Sequence, residues 1–157
     1  MTAVTQRGRV IQNPNFIRPL FNDPRAACFW LVARVWLGYK WIDAALHKVE
    51  SPAWTETGEA LKGFWSGVVQ VPEGGRPAIA FDWYRNFIQS MLDAEAYTWF
   101  GPLVAYGELI VGIALVLGAF TGIAAFFGGF MNWKFMMAGS ASSNPMLFVE
   151  ATSVIMA

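Results

Sequence analysis

Hydrophobic residues in this chain are grouped into long runs that short polar segments separate. The longest run, Tyr97–Met137, has 41 residues and only two charged side chains, Glu108 and Lys134. As a continuous helix it would extend about 60 Å, which is twice the hydrocarbon thickness of a bilayer. Turn residues stand near its middle at Gly118–Gly122, where a glycine can end one helix and Thr121 can cap the next. This pattern predicts a transmembrane hairpin.

Two further apolar runs flank the hairpin. Residues 26–46 would measure about 30 Å as a helix, and Asp23 with Pro24 forms a suitable helix start just before them. Pro145 opens a last run of 13 residues, which is too short to cross a bilayer. The predicted spans are about 26–46, 99–118, 121–138 and 145–157. Because the fourth span is incomplete, we expect either that the sequence is a fragment of a chain that continues past Ala157 or that its ordered part ends early.

Polar segments complete the predicted organisation. An irregular tail occupies residues 1–22, and an outer connection at 47–96 interrupts the transmembrane domain at 23–157. The connection is too long for a bare loop, and its apolar spacing predicts two amphipathic helices that open at Pro52 and Asp82. Such helices lie at the water interface, cap the bundle or gate a substrate. The predicted fold is an all-α, integral membrane four-helix bundle with a long extracytoplasmic connection.

The distribution of charge predicts an orientation in the membrane. Four arginines and one aspartate give residues 1–25 a net charge of +3, whereas four basic and seven acidic residues give the outer connection −3. Under the positive-inside rule, the N-terminus faces the cytoplasm and the connection lies outside. The early arginines are not followed by an apolar run with a cleavage site, so they do not indicate a signal peptide. We expect a multi-pass protein of the cytoplasmic membrane.

Composition narrows the class of function. The chain is 55% hydrophobic and 14% charged, compared with about 25% charged residues in soluble domains. Eleven basic residues equal eleven acidic ones, and a net charge of zero argues against a nucleic-acid partner. The single cysteine, Cys28, excludes an internal disulfide and a CxxC motif. The sequence shows no metal-ligand set, haem-attachment motif or phosphate-binding loop, so we expect no metal and no covalently bound cofactor.

Polar side chains inside the predicted spans are the candidates for chemistry, because a charge in hydrocarbon needs a partner. The ionisable ones are Arg34, Lys40, Asp43, Glu108, Lys134 and Glu150. Helical phase places Lys40, Asp43 and His47 in one stripe about 60° wide. Counting residues along each span estimates the depth of these side chains in the membrane. It predicts a polar cluster near the outer leaflet, with Glu108 below the cluster. The cluster is either a proton- or quinone-handling pocket or a set of charge pairs that fixes helix register.

The pocket hypothesis assigns five of these polar residues to the contact with a quinone. They are Lys40, Asp43, Asn132, Lys134 and Glu150. Asn132 has a second interpretation, since it shares its helix face with Gly128 and other small residues that let helices approach closely. On that interpretation the Asn132 amide contributes to helix packing.

Two segments resemble signature elements of the DoxX/DoxD family of membrane proteins. Arg34–Lys48 resembles the first helix of the family, with its early arginine, its glycine and its distal basic end. Gly107–Gly122 resembles the second-helix signature, in which a Gly-Glu pair precedes an apolar run and a Leu-Gly turn. Asn132–Pro145 is similar to a stretch of DoxD-like members, so the resemblance covers about residues 27–157. The chain departs from the family in its incomplete fourth helix and at Gly122, where a basic residue is common.

The resemblance implies a four-helix membrane bundle associated with oxidoreductases, since DoxD is the membrane subunit type of thiosulfate:quinone oxidoreductase. By position it implies Glu108, Arg34 and His47 as catalytic candidates and quinone as the candidate cofactor. The first expectation is therefore a membrane subunit of a quinone-linked electron-transfer assembly, with lipid and other subunits as partners, rather than an independent enzyme. The second is a non-catalytic accessory or scaffold subunit of a respiratory or photosynthetic complex. The third is a small transporter.

Overall fold

The computed structural model describes residues 23–140 and 144–156, together with the backbone of two short strands. These strands are β1 (Ala3–Val4) and β2 (Val10–Ile11), which pair antiparallel with Ala3 opposite Ile11. The remainder of the tail predicted at 1–22 lies outside the described residues. Between residues 23 and 140 and from 144 to 156, all regular structure is helical, so the all-α prediction is confirmed.

Seven α-helices follow a short 3-10 turn at Pro24–Ala26 in the described part of the chain. They are α1 (Ala27–Val49), α2 (Pro52–Thr55), α3 (Glu59–Val68), α4 (Asp82–Asp93), α5 (Tyr97–Leu117), α6 (Thr121–Met137) and α7 (Asn144–Met156). The predicted cap at Asp23 is present, since its Oδ1 accepts a hydrogen bond from the Arg25 backbone N–H at 2.9 Å. Gly118 ends α5 at a φ of +74°, as predicted. The predicted cap at Thr121 is wrong, because Thr121 is itself the first residue of α6.

The long helices α1, α5, α6 and α7 form a four-helix bundle. α1 packs on α5 and α7, and α6 packs on the same two helices. The bundle core consists of Leu37, Trp41, Val111, Leu115, Ala124, Ala125, Ala151 and Val154. α1 and α5 run antiparallel and approach closely at Gly38 and Gly112, where no side chain separates the backbones. Small residues at these crossings allow the backbone-to-backbone packing that is common between membrane helices.

The connection between α1 and α5 folds into a cap over one end of the bundle. Its core is Leu61, Trp65, Ile79, Tyr84, Ile88, Ala96, Tyr97 and Ala138, so α3 and α4 pack on the start of α5 and the end of α6. The two amphipathic helices predicted in this connection are confirmed, but the first is interrupted at Gly58. Gly58 has a φ of +71°, and a Cβ atom there would collide with the Tyr97 carbonyl. A glycine is therefore required where α3 turns against α5.

Much of the bundle's outer surface is apolar. Large exposed side chains on α5 and α6 are Trp99, Leu103, Tyr106, Ile110, Ile113, Leu117, Ile123, Phe126, Phe127, Phe130 and Trp133. Among the described residues, α5 is the one helix whose length and composition suit a membrane span. α1 carries Arg34, Lys40 and Asp43, whereas α6 and α7 have only 17 and 13 residues. Of the four predicted spans, length and composition therefore support the one at α5.

Candidate functional site

A buried ion pair joins α1 to α5. The Lys48 ammonium Nζ donates a hydrogen bond to Glu108 Oε2. The Glu108 side chain is 1% exposed and the Lys48 side chain 20% exposed. Glu108 occupies the middle of α5, while Lys48 stands at the last turn of α1 and extends its side chain back toward the bundle interior. A carboxylate at such a position needs a counter-charge, and Lys48 provides it.

Aromatic rings surround the Lys48 end of this pair. The ammonium lies 5.4 Å from the ring centroid of Trp54 in α2 and 5.8 Å from that of Phe135 in α6. Both distances are within the range of cation–π attraction. Four elements, α1, α2, α5 and α6, therefore meet at the Lys48 ammonium. The pair marks the junction between the bundle and the cap.

Two buried hydrogen-bond donors near this junction have no partner among the described residues. They are Trp41 Nε1 and Asn132 Nδ2, on side chains that are 3% and 1% exposed. The Trp41 ring packs against Gly128, one helical turn before Asn132, while Lys48 lies over Phe135, one turn after it. Both donors therefore lie in the same part of the bundle interior as the ion pair. Buried donors of this kind are normally satisfied, so they indicate an acceptor such as a water or a ligand oxygen.

Together these groups form a small buried polar site within an apolar bundle. It has a carboxylate, an ammonium, an indole N–H and a carboxamide N–H. A neutral ligand with carbonyl oxygens would find two donors at Trp41 and Asn132, and Glu108 and Lys48 are the ionisable groups of the same part of the bundle interior. The same arrangement also fixes helix register, because the ion pair joins two helices at one level. These are the two interpretations that the sequence leaves open.

Arg34 lies apart from Glu108. Its Nη1 donates a hydrogen bond at 2.8 Å to the carbonyl oxygen of Leu115, and its guanidinium lies against Gly118 at the end of α5. Leu115 is two turns from Glu108 on α5. The same carbonyl also accepts from the Gly118 backbone N–H at 3.3 Å, so Arg34 adds a second donor there and complements the negative end of the helix dipole. The structure therefore places Arg34 as a cap on the C-terminus of α5, about 10 Å along the helix from Glu108.

The predicted stripe on α1 faces away from the bundle core. Asp43 and His47 are exposed, and the His47 ring Nδ1 contacts the Asp43 backbone oxygen at 2.8 Å. The Lys40 ammonium lies 6.0 Å and 5.9 Å from the ring centroids of Trp36 and Tyr39 on the same helix. The three residues share a stripe, as predicted, but the structure does not bring them together with Glu108. The single outer polar cluster expected from the sequence is not assembled in the described residues.

Lys134 lies between α6 and the cap, where it contacts four aromatic rings. Its ammonium lies 5.1–5.5 Å from the ring centroids of Tyr84, Phe87, Phe130 and Trp133. The Tyr84 hydroxyl donates a hydrogen bond to the Lys134 backbone oxygen at 3.2 Å. These contacts tie α4 to the end of α6, which indicates a role for Lys134 in holding the cap. Glu150 is half-buried on α7.

Loss of the Tyr84 proton at alkaline pH is expected to loosen the cap. Burial raises the pKa of the Tyr84 phenol above its usual value of about 10. The native chain therefore holds this proton more tightly than the unfolded chain does. The contribution to stability is complete below about pH 10 and declines as the pH rises from there through the native pKa.

We expect thermal unfolding midpoints of the full chain to fall more steeply above pH 10 than those of Tyr84→Phe. The midpoints of both proteins are measured in the same detergent between pH 8 and 11. Tyr106→Phe is the matched control, since Tyr106 is exposed on α5. Equal alkaline slopes for the wild-type chain and Tyr84→Phe would contradict a role of the phenol in holding the cap.

Sequence reasoning missed the partner of Glu108. The predicted first span ends at residue 46, which assigns Lys48 to the outer connection, whereas α1 continues to Val49. Helical phase gives part of the signal, because Lys48 follows Trp41 by seven residues and so lies on the core face of α1, but it does not give the partner on α5. Trp41 was overlooked as a donor because a tryptophan in an apolar run is usually core or an interfacial anchor.

The profile of the DoxX family matches residues 29–138, which is more than half of the chain and includes Lys48, Glu108 and Asn132. Neither the curated protein sequences nor the solved structures gave a match. The match indicates a membrane protein, in agreement with the apolar exterior of the bundle.

Proposed function

The chain belongs to the DoxX family, and we propose that it is the membrane-embedded subunit of a quinone-linked electron-transfer assembly. α1, α5, α6 and α7 are the segments in lipid, and the cap lies on the extracytoplasmic side. The net charges of residues 1–25 (+3) and of the connection 47–96 (−3) support this orientation, with the N-terminus in the cytoplasm. The exposed apolar side chains of α5 and α6 support it too, since a surface of this extent is rare on soluble proteins.

The buried polar site is the observation that supports quinone binding. Trp41 Nε1 and Asn132 Nδ2 are buried donors without a partner among the described residues. A quinone has carbonyl oxygens that accept from such donors, and its reduction takes up protons. The Lys48 ammonium lies over the ring of Phe135, one helical turn after Asn132, so the Lys48–Glu108 pair is the group that would exchange them. Quinone would bind without a covalent link, as expected from the absence of an attachment motif in the sequence.

Membrane insertion is tested first, on membranes from cells that express the full chain. We expect the protein to stay in the pellet after extraction with alkaline carbonate and to enter solution only with detergent. A folded, monodisperse protein in the carbonate supernatant would contradict the membrane bundle and the proposals that rest on it.

Quinone binding is tested by gentle detergent extraction, followed by mass spectrometry of the organic extract and identification of co-purifying subunits. We expect quinone in the purified wild-type protein and about fivefold less in Asn132→Leu, because one lost hydrogen bond is worth about 1 kcal/mol. Asn86→Leu is the matched control, since Asn86 is exposed on the cap. A folded wild-type protein with its partner subunits but no quinone would refute this part of the proposal.

A non-catalytic accessory role is the second candidate, and a specific observation favours it. The two charged groups that the family resemblance implies as catalytic already have internal partners, Glu108 with Lys48 and Arg34 with the Leu115 carbonyl. Substitution Glu108→Gln separates the two functions, because it keeps the shape and hydrogen bonding of the side chain but removes its charge and its proton exchange. Loss of quinone-dependent turnover in a normally assembled complex supports the quinone site. Unchanged turnover supports the accessory role.

A further inference from the structure

One exposed face of α1 has the spacing of a helix–helix interface. Its apolar members recur at alternating intervals of three and four residues, which is the heptad spacing of a coiled-coil seam. The seam consists of Phe29, Val32, Trp36, Tyr39, Asp43 and Leu46, and all six are exposed. Contacts of α1 with α5 and α7 use the opposite side, where Leu37, Trp41 and Ala45 are buried. The seam therefore lies on the side of α1 that faces away from α5 and α7.

Asp43 interrupts this apolar seam at a depth where lipid cannot accommodate it. A Cβ atom on Gly112 would lie 2.8 Å from the Ile42 backbone nitrogen and 2.9 Å from the Gly38 oxygen, so Gly112 is level with residues 38–42. By this register Asp43 lies within about 5 Å of the middle of α5 along the bundle. Its carboxylate has no hydrogen bond or ion pair within residues 23–140 and 144–156. An unpaired carboxylate facing hydrocarbon at mid-depth is strongly unfavourable, so a partner must cover it.

We propose that this face of α1 is the interface with a second copy of the same chain. The proposal rests on the membrane location given under Proposed function. Lys40 flanks the seam three residues before Asp43, which is a member of it, and these opposite charges make the face self-complementary. A two-fold axis along the membrane normal brings two parallel α1 helices together, so that each Lys40 ammonium reaches the other copy's Asp43 carboxylate. Two ion pairs then balance all four charges.

The apolar part of the seam fits the same occupant. Leu31, Val32, Val35, Trp36 and Tyr39 line a shallow apolar groove on this face. Side chains of heptad spacing on one helix insert between those of an identical parallel helix, so each copy's Trp36 and Tyr39 would lie in the other copy's groove. A polar residue at one seam position fixes the register of such a pair, which is the role the proposal gives to Asp43.

Charge reversal in two separately tagged copies is the decisive experiment. A chain with Lys40→Asp has an acidic seam, and a chain with Asp43→Lys has a basic seam. In lipid nanodiscs we expect each variant alone to dimerise about tenfold or more weakly than the wild-type chain, because like charges face each other. Co-expressed, the two variants should form a heterodimer at the wild-type level. Only a contact between chains produces this rescue, since each chain keeps its own reversed charge.

Cysteine cross-linking gives a second, independent measurement. Tyr39→Cys is made in a Cys28→Ser background, and Ile113→Cys in the same background is the matched control at a comparable depth on α5. We expect oxidation in native membranes to link the Tyr39→Cys chains into a dimer and to leave the Ile113→Cys chains monomeric.

Three results would overturn the proposal. A wild-type chain that is monomeric in nanodiscs shows that lipid or solvent covers this face. Co-purification of a different subunit cross-linked through Tyr39→Cys assigns the face to another protein. Two charge variants that dimerise like the wild type show that the seam is not the interface. If the carbonate extraction finds the chain in membranes while these tests fail, only the dimer is refuted and the membrane proposal stands.

Discussion

Substitution Lys48→Met is expected to destabilise the bundle by about 3–5 kcal/mol, which is the usual effect of leaving one member of a buried ion pair without its partner. Glu108 is 1% exposed, and Lys48 is its ion-pair partner in the described structure. The methionine keeps the length and packing of the lysine stem, so the loss reports the charge rather than a cavity. The free energy of unfolding is measured by denaturant titration in mild detergent, with helical circular dichroism as the signal.

The double variant Lys48→Met with Glu108→Gln identifies the cause. Removal of both charges should recover most of the lost stability, since a buried ion pair is often replaceable by neutral groups. Lys62→Met is the matched control, because Lys62 forms an exposed pair with Glu59 and its loss should change little. If Lys48→Met unfolds at the same denaturant concentration as Lys62→Met, the Lys48–Glu108 pair does not stabilise the bundle.

The helical segments could be predicted from the sequence because their signals are local. Long apolar runs separated by glycine and proline specify where helices begin and end, and Gly118 stops α5 where predicted. The interruption at Gly58 could not be predicted in this way. It depends on the Tyr97 carbonyl, which is 39 residues away in the chain and becomes a neighbour only when the cap folds onto α5.

The candidate site was predicted less well, because its partners depend on packing between helices. Glu108 was identified as a buried carboxylate from its position inside an apolar run. Its partner Lys48 was not, since a lysine at the predicted end of a span is expected to extend into water. The actual direction of the Lys48 side chain depends on the glycine contact of α1 with α5, which sets the register of the two helices. The helical phase of a single segment does not predict the register between two helices.

The same limit explains why the predicted polar cluster does not form. Lys40, Asp43 and His47 share a stripe in the structure, as their spacing predicts. Spacing alone does not say whether a stripe faces the core or the exterior. In α1 the core face is chosen by Leu37, Trp41 and Ala45, which leaves the stripe outside. A polar stripe on an exposed helix face in lipid then indicates an intermolecular partner instead of an internal site.

Substitution Gly112→Ala is expected to reduce the stability of the bundle by about 1–3 kcal/mol, because it forces apart the two helices that hold the Lys48–Glu108 pair. A Cβ atom at this position would lie 2.7 Å from Ile42 Cγ1 and 2.9 Å from the Gly38 backbone oxygen. The backbone oxygen cannot move away without a shift of the whole of α1, so the new methyl group has to displace the helix. The shift also lengthens the path from the Lys48 ammonium to the Glu108 carboxylate.

Gly107→Ala is the matched control on the same helix. A Cβ atom at Gly107 would meet nothing within 4 Å, so this variant should gain about 0.5–1 kcal/mol from the higher helix propensity of alanine. Both variants are unfolded by denaturant in the same detergent, with circular dichroism as the signal. The free energy of unfolding should therefore fall in Gly112→Ala and rise in Gly107→Ala. If Gly112→Ala is as stable as Gly107→Ala, the close approach of α1 and α5 at Gly112 is not what sets the register of the ion pair.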